Sequence, residues 1–140
     1  MKLSARNQFT GTVTDVVTGP VSAEVTIAVN GSDTVKATLT SEAAAALGLA
    51  AGTSCVALFK TSAVVVGTGE PGKLSARNVY AGSISALKAG PVSTEVTIST
   101  PAGLKVEAII TQEAAAELGL ALGSPAFALV KASSVMVGVD

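Results

Sequence analysis

Histidine is absent from this chain. That removes the usual general base, the commonest metal ligand and every Ser-His or Cys-His pairing. Tryptophan is absent too, and aromatics make up only 3% of residues. Single-stranded nucleic acid needs aromatic platforms for its bases, so it has little to hold. A basic excess is missing. Nine Lys and Arg face ten Asp and Glu, for a net charge of −1 and a pI of about 5.4. No positive field draws nucleic acid or an anionic membrane. The lone Cys55 forms no internal disulfide, which fits a reducing compartment, and reads as a packed small residue. No apolar run is long enough to cross a bilayer, and the N-terminus carries no apolar signal core. The expectation is a cytoplasmic protein with no membrane partner. No cysteine cluster, phosphate-cradling loop or nucleotide fingerprint appears.

Small apolar side chains, by contrast, are plentiful. Hydrophobic residues make up 49% of the chain, mostly Val and Ala, and the mean hydropathy is +0.59. They are arranged in a tandem duplication. Lys2–Asn7 reads Lys-Leu-Ser-Ala-Arg-Asn and returns as Lys73–Asn78, and the offset of 71 residues holds without a gap. Gly19-Pro20-Val21-Ser22 returns as Gly90-Pro91-Val92-Ser93, and Leu47-Gly48-Leu49-Ala50 as Leu118-Gly119-Leu120-Ala121. About half of the aligned positions are identical, far above chance. The repeat predicts units at 1–67 and 73–140, joined by the turn-rich linker 68–72. Units this small are marginal alone, so the apolar excess predicts packing between halves, between subunits, or both.

Each unit reads as strand-rich. Phe9–Val17 alternates, with Phe9, Gly11, Val13 and Asp15 on one side. Gly19-Pro20 turns the chain, and Val21–Val29 forms a second strand. Asn30-Gly31 signals a hairpin, and Val35–Leu39 a third strand. Thr40-Ser41-Glu42 caps an alanine-rich helix, with Glu42 in its positive first turn. Ser54–Phe59 and Ala63–Val66 complete the unit. The second copy gives strands at Val79–Leu87, Val92–Ser99 and Leu104–Ile110, a helix near Gln112–Leu118, then Ala126–Val130 and Ser134–Val137. The predicted class is all-β: two tandem OB-like five-stranded barrels, each with one short helix between strands 3 and 4.

The repeated carboxylates, Glu24/Glu95 and Glu42/Glu113, are explained by a solvated strand position and a helix start, so no enzyme is predicted. The cations say more. Six of the nine Lys and Arg occupy repeated positions: Lys2, Arg6, Lys60, Lys73, Arg77 and Lys131. Arg6 and Arg77 are the only arginines. An arginine paired with a carboxylate is the bland explanation. Yet each stands in a Ser-Ala-Arg-Asn string, and Ser4-Ala5-Arg6-Asn7 and Ser75-Ala76-Arg77-Asn78 offer a hydroxyl, a guanidinium and an amide. With ammonium groups beside them, such donors suit a dianion that carries no proton. Ser22 and the main chain of the Gly19–Ser22 turn could add further donors.

These residues resemble the molbindin family, small molybdate-binding proteins built from Mop domains. The likeness rests on Lys-Leu-Ser-Ala-Arg-Asn, the following Gly11 and Gly82, Gly-Pro-Val-Ser-x-Glu-Val, Thr-x-Glu-Ala-Ala-x-x-Leu-Gly-Leu and a late Lys, all present twice. The resemblance implies OB-like barrels around a threefold axis, with molybdate or tungstate bound between domains, and neither cofactor nor bare metal cation. It implies one class of site built from Ser4 and Arg6, or Ser75 and Arg77, with the late Lys60 or Lys131 of a neighbouring domain. The position after that lysine differs, Thr61 against Ala132. A second class is implied at the turns, with Gly19, Val21 and Ser22, and Gly90, Val92 and Ser93. Neither a helix-turn-helix nor a P-loop accompanies the repeats, so the expectation is a free-standing binder of molybdate or tungstate, assembled as a homotrimer. An OB-type nucleic-acid module and a purely structural assembly domain are the competing readings.

Overall fold

A computed structural model of the chain describes residues 2–140. Its order is β1 (Asn7–Thr18), β2 (Ser22–Ala28), β3 (Thr34–Thr40), α1 (Ser41–Ala46), β4 (Ser54–Phe59) and β5 (Val65–Gly67). The second repeat follows as β6 (Asn78–Ala89), β7 (Ser93–Ser99), β8 (Lys105–Thr111), α2 (Gln112–Leu118), β9 (Pro125–Val130) and β10 (Met136–Gly138). A short 3₁₀ turn precedes each last strand, at Thr61–Ala63 and Ala132–Ser134. The strand and helix positions agree with the sequence reading to within a residue or two, except that Ala63 and Ser134, expected to open the last strands, close the 3₁₀ turns before them. Thr40 and Thr111 cap the helices as expected, accepting from the N–H groups of Ala43 and Ala114 at 3.0 Å.

One local expectation needs correcting, the alternation along β1. A bulge between Val13 and Asp15 shifts the ladder, so Val13 is buried while Asp15 faces solvent. β6 repeats the irregularity between Ile84 and Ala86. A bulge adds one residue and re-phases everything after it, which alternation alone does not register. The hairpin expected at Asn30-Gly31 is present and joins β2 to β3. Gly31 does not adopt a positive φ. Instead the Asn30 side chain closes a longer loop, its Oδ1 accepting from the N–H groups of Ser32 (2.9 Å) and Asp33 (2.7 Å).

The strands form two five-stranded antiparallel sheets, ordered β10-β4-β1-β2-β3 and β5-β9-β6-β7-β8. Each sheet curls into a half-barrel. The long β1 pairs with β4 through its first half and with β2 through its second. Gly11 lies where the two pairings meet. A Cβ there would strike the Ala28 carbonyl oxygen, and one at Gly82 would strike that of Ser99. Both glycines are therefore required by close approach of backbone to backbone.

Each sheet is finished by the other repeat. β5 leaves its own unit and pairs with β9, Val66 opposite Ala128. β10 returns to pair with β4, Val137 opposite Ala57. One hydrophobic cluster runs through both halves, from Val25, Ile27 and Phe59 to Ile84, Ile98 and Val130. The packing of half on half expected from composition is thus an interlock as well as a contact. Cys55 lies in this core, where burial pushes its thiol pKa up and keeps it a thiol.

Tyr80 marks the seam between halves. Its Oη donates to the Thr34 carbonyl at 2.9 Å, and the ring is 4% exposed. Burial first, and the Asp33 charge second, push this phenol well above its ordinary value near 10. A raised folded-state pKa contributes stability that is complete below about pH 10 and is lost above it, as the unfolded phenol ionises first. Alkaline denaturation should therefore steepen from about pH 10 upward. Tyr80→Phe, the ring type found at the equivalent Phe9, should remove that slope. Chemical denaturation at a series of alkaline pH values measures it.

Candidate oxyanion sites

The β1–β4 ladder places the first candidate group. Its last pair is Asn7 with Phe59, and both side chains are buried. One step further along the antiparallel register stand Arg6 and Lys60, both exposed. The second repeat copies this corner. Asn78 pairs with Val130, and Arg77 and Lys131 come next, again exposed. The arginine and lysine of one repeat thus come to the same end of one ladder, whereas the resemblance assigns the lysine to a neighbouring domain. Ser4 and Ser75, two residues before the arginines, are exposed as well. Ala5 is buried and Ala76 half-buried, so these two anchor the segments by packing.

Among the described residues no carboxylate pairs with these cations, and the one ion pair joins Lys36 Nζ to Glu24 Oε1 at 3.7 Å. Both partners of that pair are more than a third exposed, so it contributes at most about 1 kcal/mol. The bland reading of Arg6, in which it is held by a carboxylate, therefore does not apply. Local order comes from the main chain instead. Gln8 Nε2 donates to the Ala5 carbonyl at 2.7 Å, and Arg77 Nε to the Ser75 carbonyl at 3.3 Å.

Asn7 and Asn78 behave differently from the rest of the motif. Asn7 Nδ2 donates to the Glu107 carbonyl and Asn7 Oδ1 accepts from the Glu107 N–H, both at 2.8 Å. Asn78 does the same with Lys36, at 2.8 and 2.7 Å. The two amides are 1% and 2% exposed and face main chain of the opposite half. Sequence reasoning grouped them with the anion donors. A hint lay in their phase, since each opens a strand on the side that turns inward.

Thr61 is half-buried at the start of the 3₁₀ turn that carries the chain across. It lines a cavity of about 290 Å³ together with Lys88, Thr97, Glu95 and Glu107 of the second repeat. The two carboxylates make that cavity unfavourable for a dianion. Its counterpart Ala132 is buried, so the two corners differ in chemistry.

The second candidate group is the pair of turns. Gly19 N–H donates to the Ser22 carbonyl at 2.8 Å, and Gly90 N–H to that of Ser93 at 2.9 Å. Those two donors are spent within the turn. The start of α1 clasps the first turn from below, with Ser41 Oγ donating to the Gly19 carbonyl and Ser41 N–H to that of Val21. At the second turn, Gln112 N–H donates to the Val92 carbonyl. Val21 and Val92 project outward at 78% and 79% exposure, and Ser22 and Ser93 are exposed beside them. The turns thus offer hydroxyls and an apolar tip rather than a ready nest of glycine N–H groups.

The TOBE domain model matches the chain twice, at residues 3–66 and 74–137. The chain belongs to the TOBE domain family. Each TOBE segment contains its own Ser-Ala-Arg-Asn string and late lysine, and ends within the strand that joins the other sheet. The chain is 44% identical over its whole length to a molybdenum transport protein, ModE, of Herbaspirillum seropedicae. It is 40% identical over 99% of its length to a molybdenum-pterin-binding protein, MopA, of Rhodobacter capsulatus. It spans about half the length of these two relatives, 52% and 53%. Among solved structures it resembles the cytoplasmic molybdate-binding protein ModG with molybdate bound. There the TM-score is 0.95 and the identity 44%, and each chain is covered completely.

Proposed function

We propose that this chain binds molybdate, and tungstate beside it, as a cytoplasmic store or buffer of the oxyanion. The observation that carries the reading is the pair of matched corners. At each, an exposed arginine and an exposed lysine directly follow the last ladder pair, and neither forms an ion pair among the described residues. Like charges brought to one end of a ladder repel, and a bound dianion would relieve that repulsion. The whole-chain likeness to a molybdate-bound protein supports the same chemistry. The proposed ligand groups are Ser4, Arg6 and Lys60, and Ser75, Arg77 and Lys131, with Ser22 and Ser93 at a second class of site. The working units are residues 1–67 and 73–140, joined at 68–72, in a chain that binds without catalysing. The exposed Val21 and Val92 suit burial against further copies, in keeping with a homotrimer. Nucleic acid fits less well, because Phe59, Tyr80 and Phe127 are buried and Phe9 is half-buried, leaving no stacking platform.

Calorimetric titration with four anions tests the proposal. Molybdate and tungstate have nearly the same size and charge, so donors lining a fixed cavity should barely separate them. Sulfate is smaller and should bind far more weakly. Phosphate near neutral pH keeps a proton that meets only donors, which costs affinity. Equal affinity for sulfate and molybdate contradicts the reading.

A further inference from the structure

Asn7 and Asn78 directly follow Arg6 and Arg77, yet their side chains are directed into the protein. We propose that these two asparagines are positioning residues, which hold each Ser-Ala-Arg segment in register against the opposite half without touching the anion. The inference rests on the anion reading of Arg6 and Arg77 and adds to it the reason those residues are held in place.

An asparagine amide carries both an N–H donor and a carbonyl acceptor, so it can offer a strand the same pair that a ladder partner would. Asn7 uses both on the main chain of Glu107, in β8. Asn78 uses both on the main chain of Lys36, in β3. β3 and β8 are the outer strands of their sheets, so each asparagine satisfies an edge that would otherwise be bare. The two ties are equivalent under the repeat and cross the seam in opposite directions. Both amide atoms are engaged and the side chains are almost fully buried, so neither amide faces the exposed side where Arg6 and Arg77 lie.

What these ties hold is the segment just before them. Ladder pairing with β4 stops at Asn7, so Ser4 and Arg6 extend beyond the last paired residue. Terminal segments outside a ladder fray unless something anchors them. Donors to a small tetrahedral anion must be held to within about 0.5 Å to act together. Asn7 supplies that anchor from one side, and the Gln8 bond to the Ala5 carbonyl from the other. In the second repeat Val79 replaces Gln8, and the Tyr80 Oη contact with Asn78 Oδ1 at 3.3 Å braces the asparagine instead.

The test separates positioning from general stability. Molybdate is titrated into wild type, Arg6→Ala, Asn7→Ala, and the core variants Ile27→Val and Ile27→Ala, whose losses of thermal stability bracket that of Asn7→Ala. The expected result is a loss of about tenfold in affinity for Asn7→Ala, the scale seen when outer-shell partners of a ligand group are removed. The loss falls at the sites that Arg6→Ala also weakens. Sites that depend on Arg77 keep their affinity, as do both core variants. Asn7→Ala that titrates like wild type overturns the proposal, and so does an equal loss in the core variants. Wild type that binds no molybdate, or binds it regardless of Arg6, overturns the underlying anion reading and the proposal with it. If Asn7→Ala does not fold, hydrogen exchange on wild type decides. Molybdate should slow exchange of the Glu107 and Lys36 amides, which the asparagines hold. Unchanged exchange at saturating molybdate rejects the positioning role.

Discussion

Deleting residues 135–140 is expected to unzip the first repeat rather than the second. β10 belongs by sequence to the second repeat, but its ladder partners are Val56, Ala57 and Leu58 in β4. The deletion removes Val135, which is 3% exposed, and the half-buried Val137 and Val139. A fully buried valine contributes about 1.5–3 kcal/mol, so the loss should reach roughly 3–6 kcal/mol. That is a large part of a typical domain stability of about 5–15 kcal/mol. Amide exchange should accelerate along β4, while β9 keeps both its neighbours, β5 and β6. Loss of protection along β9 with β4 intact would mean that each repeat closes on its own last strand, and the exchanged arrangement would be wrong.

Replacing Arg6 and Arg77 together with alanine should remove most binding at the matched corners. Each change takes a fork of charged donors from a dianion. A hydrogen bond to a charged group contributes about 1.5–3 kcal/mol, so each affected site should weaken by roughly ten- to a hundredfold. The fold should survive, because both side chains are exposed and neither forms an ion pair among the described residues. Any sites at the Gly19–Ser22 and Gly90–Ser93 turns should persist, since their donors come from other residues. Titration of the double variant with molybdate, alongside circular dichroism, measures both outcomes. An unchanged isotherm in a folded protein would reduce the Ser-Ala-Arg-Asn string to a packing motif.

The two outcomes depend on different kinds of information. The strands were legible because Val and Thr alternate in short runs between Gly-Pro and Asn-Gly turns, a pattern that records local burial on one face. The helices were legible because Thr40 and Thr111 cap alanine runs with Glu42 and Glu113 in the first turn. The site chemistry was legible in part, because a repeated arginine, serine and lysine limit what can bind. Phase within β1 was not, since a bulge changes the register without changing composition.

By itself, then, the sequence determined the repeat, the elements and the class of donor. The tertiary structure decided which sheet each last strand joins. Val65–Gly67 and Met136–Gly138 carry nearly the same pattern, and β4 and β9 offer nearly the same apolar edge, so local preference does not distinguish the partners. It also decided that Arg6 and Lys60 come to the same end of one ladder, because register alone brings residues so far apart in the chain together. And it separated Asn7 from Arg6, neighbours in one motif. One faces solvent, and the other meets a main-chain partner 100 residues away, a contact that exists only once the two halves have folded together.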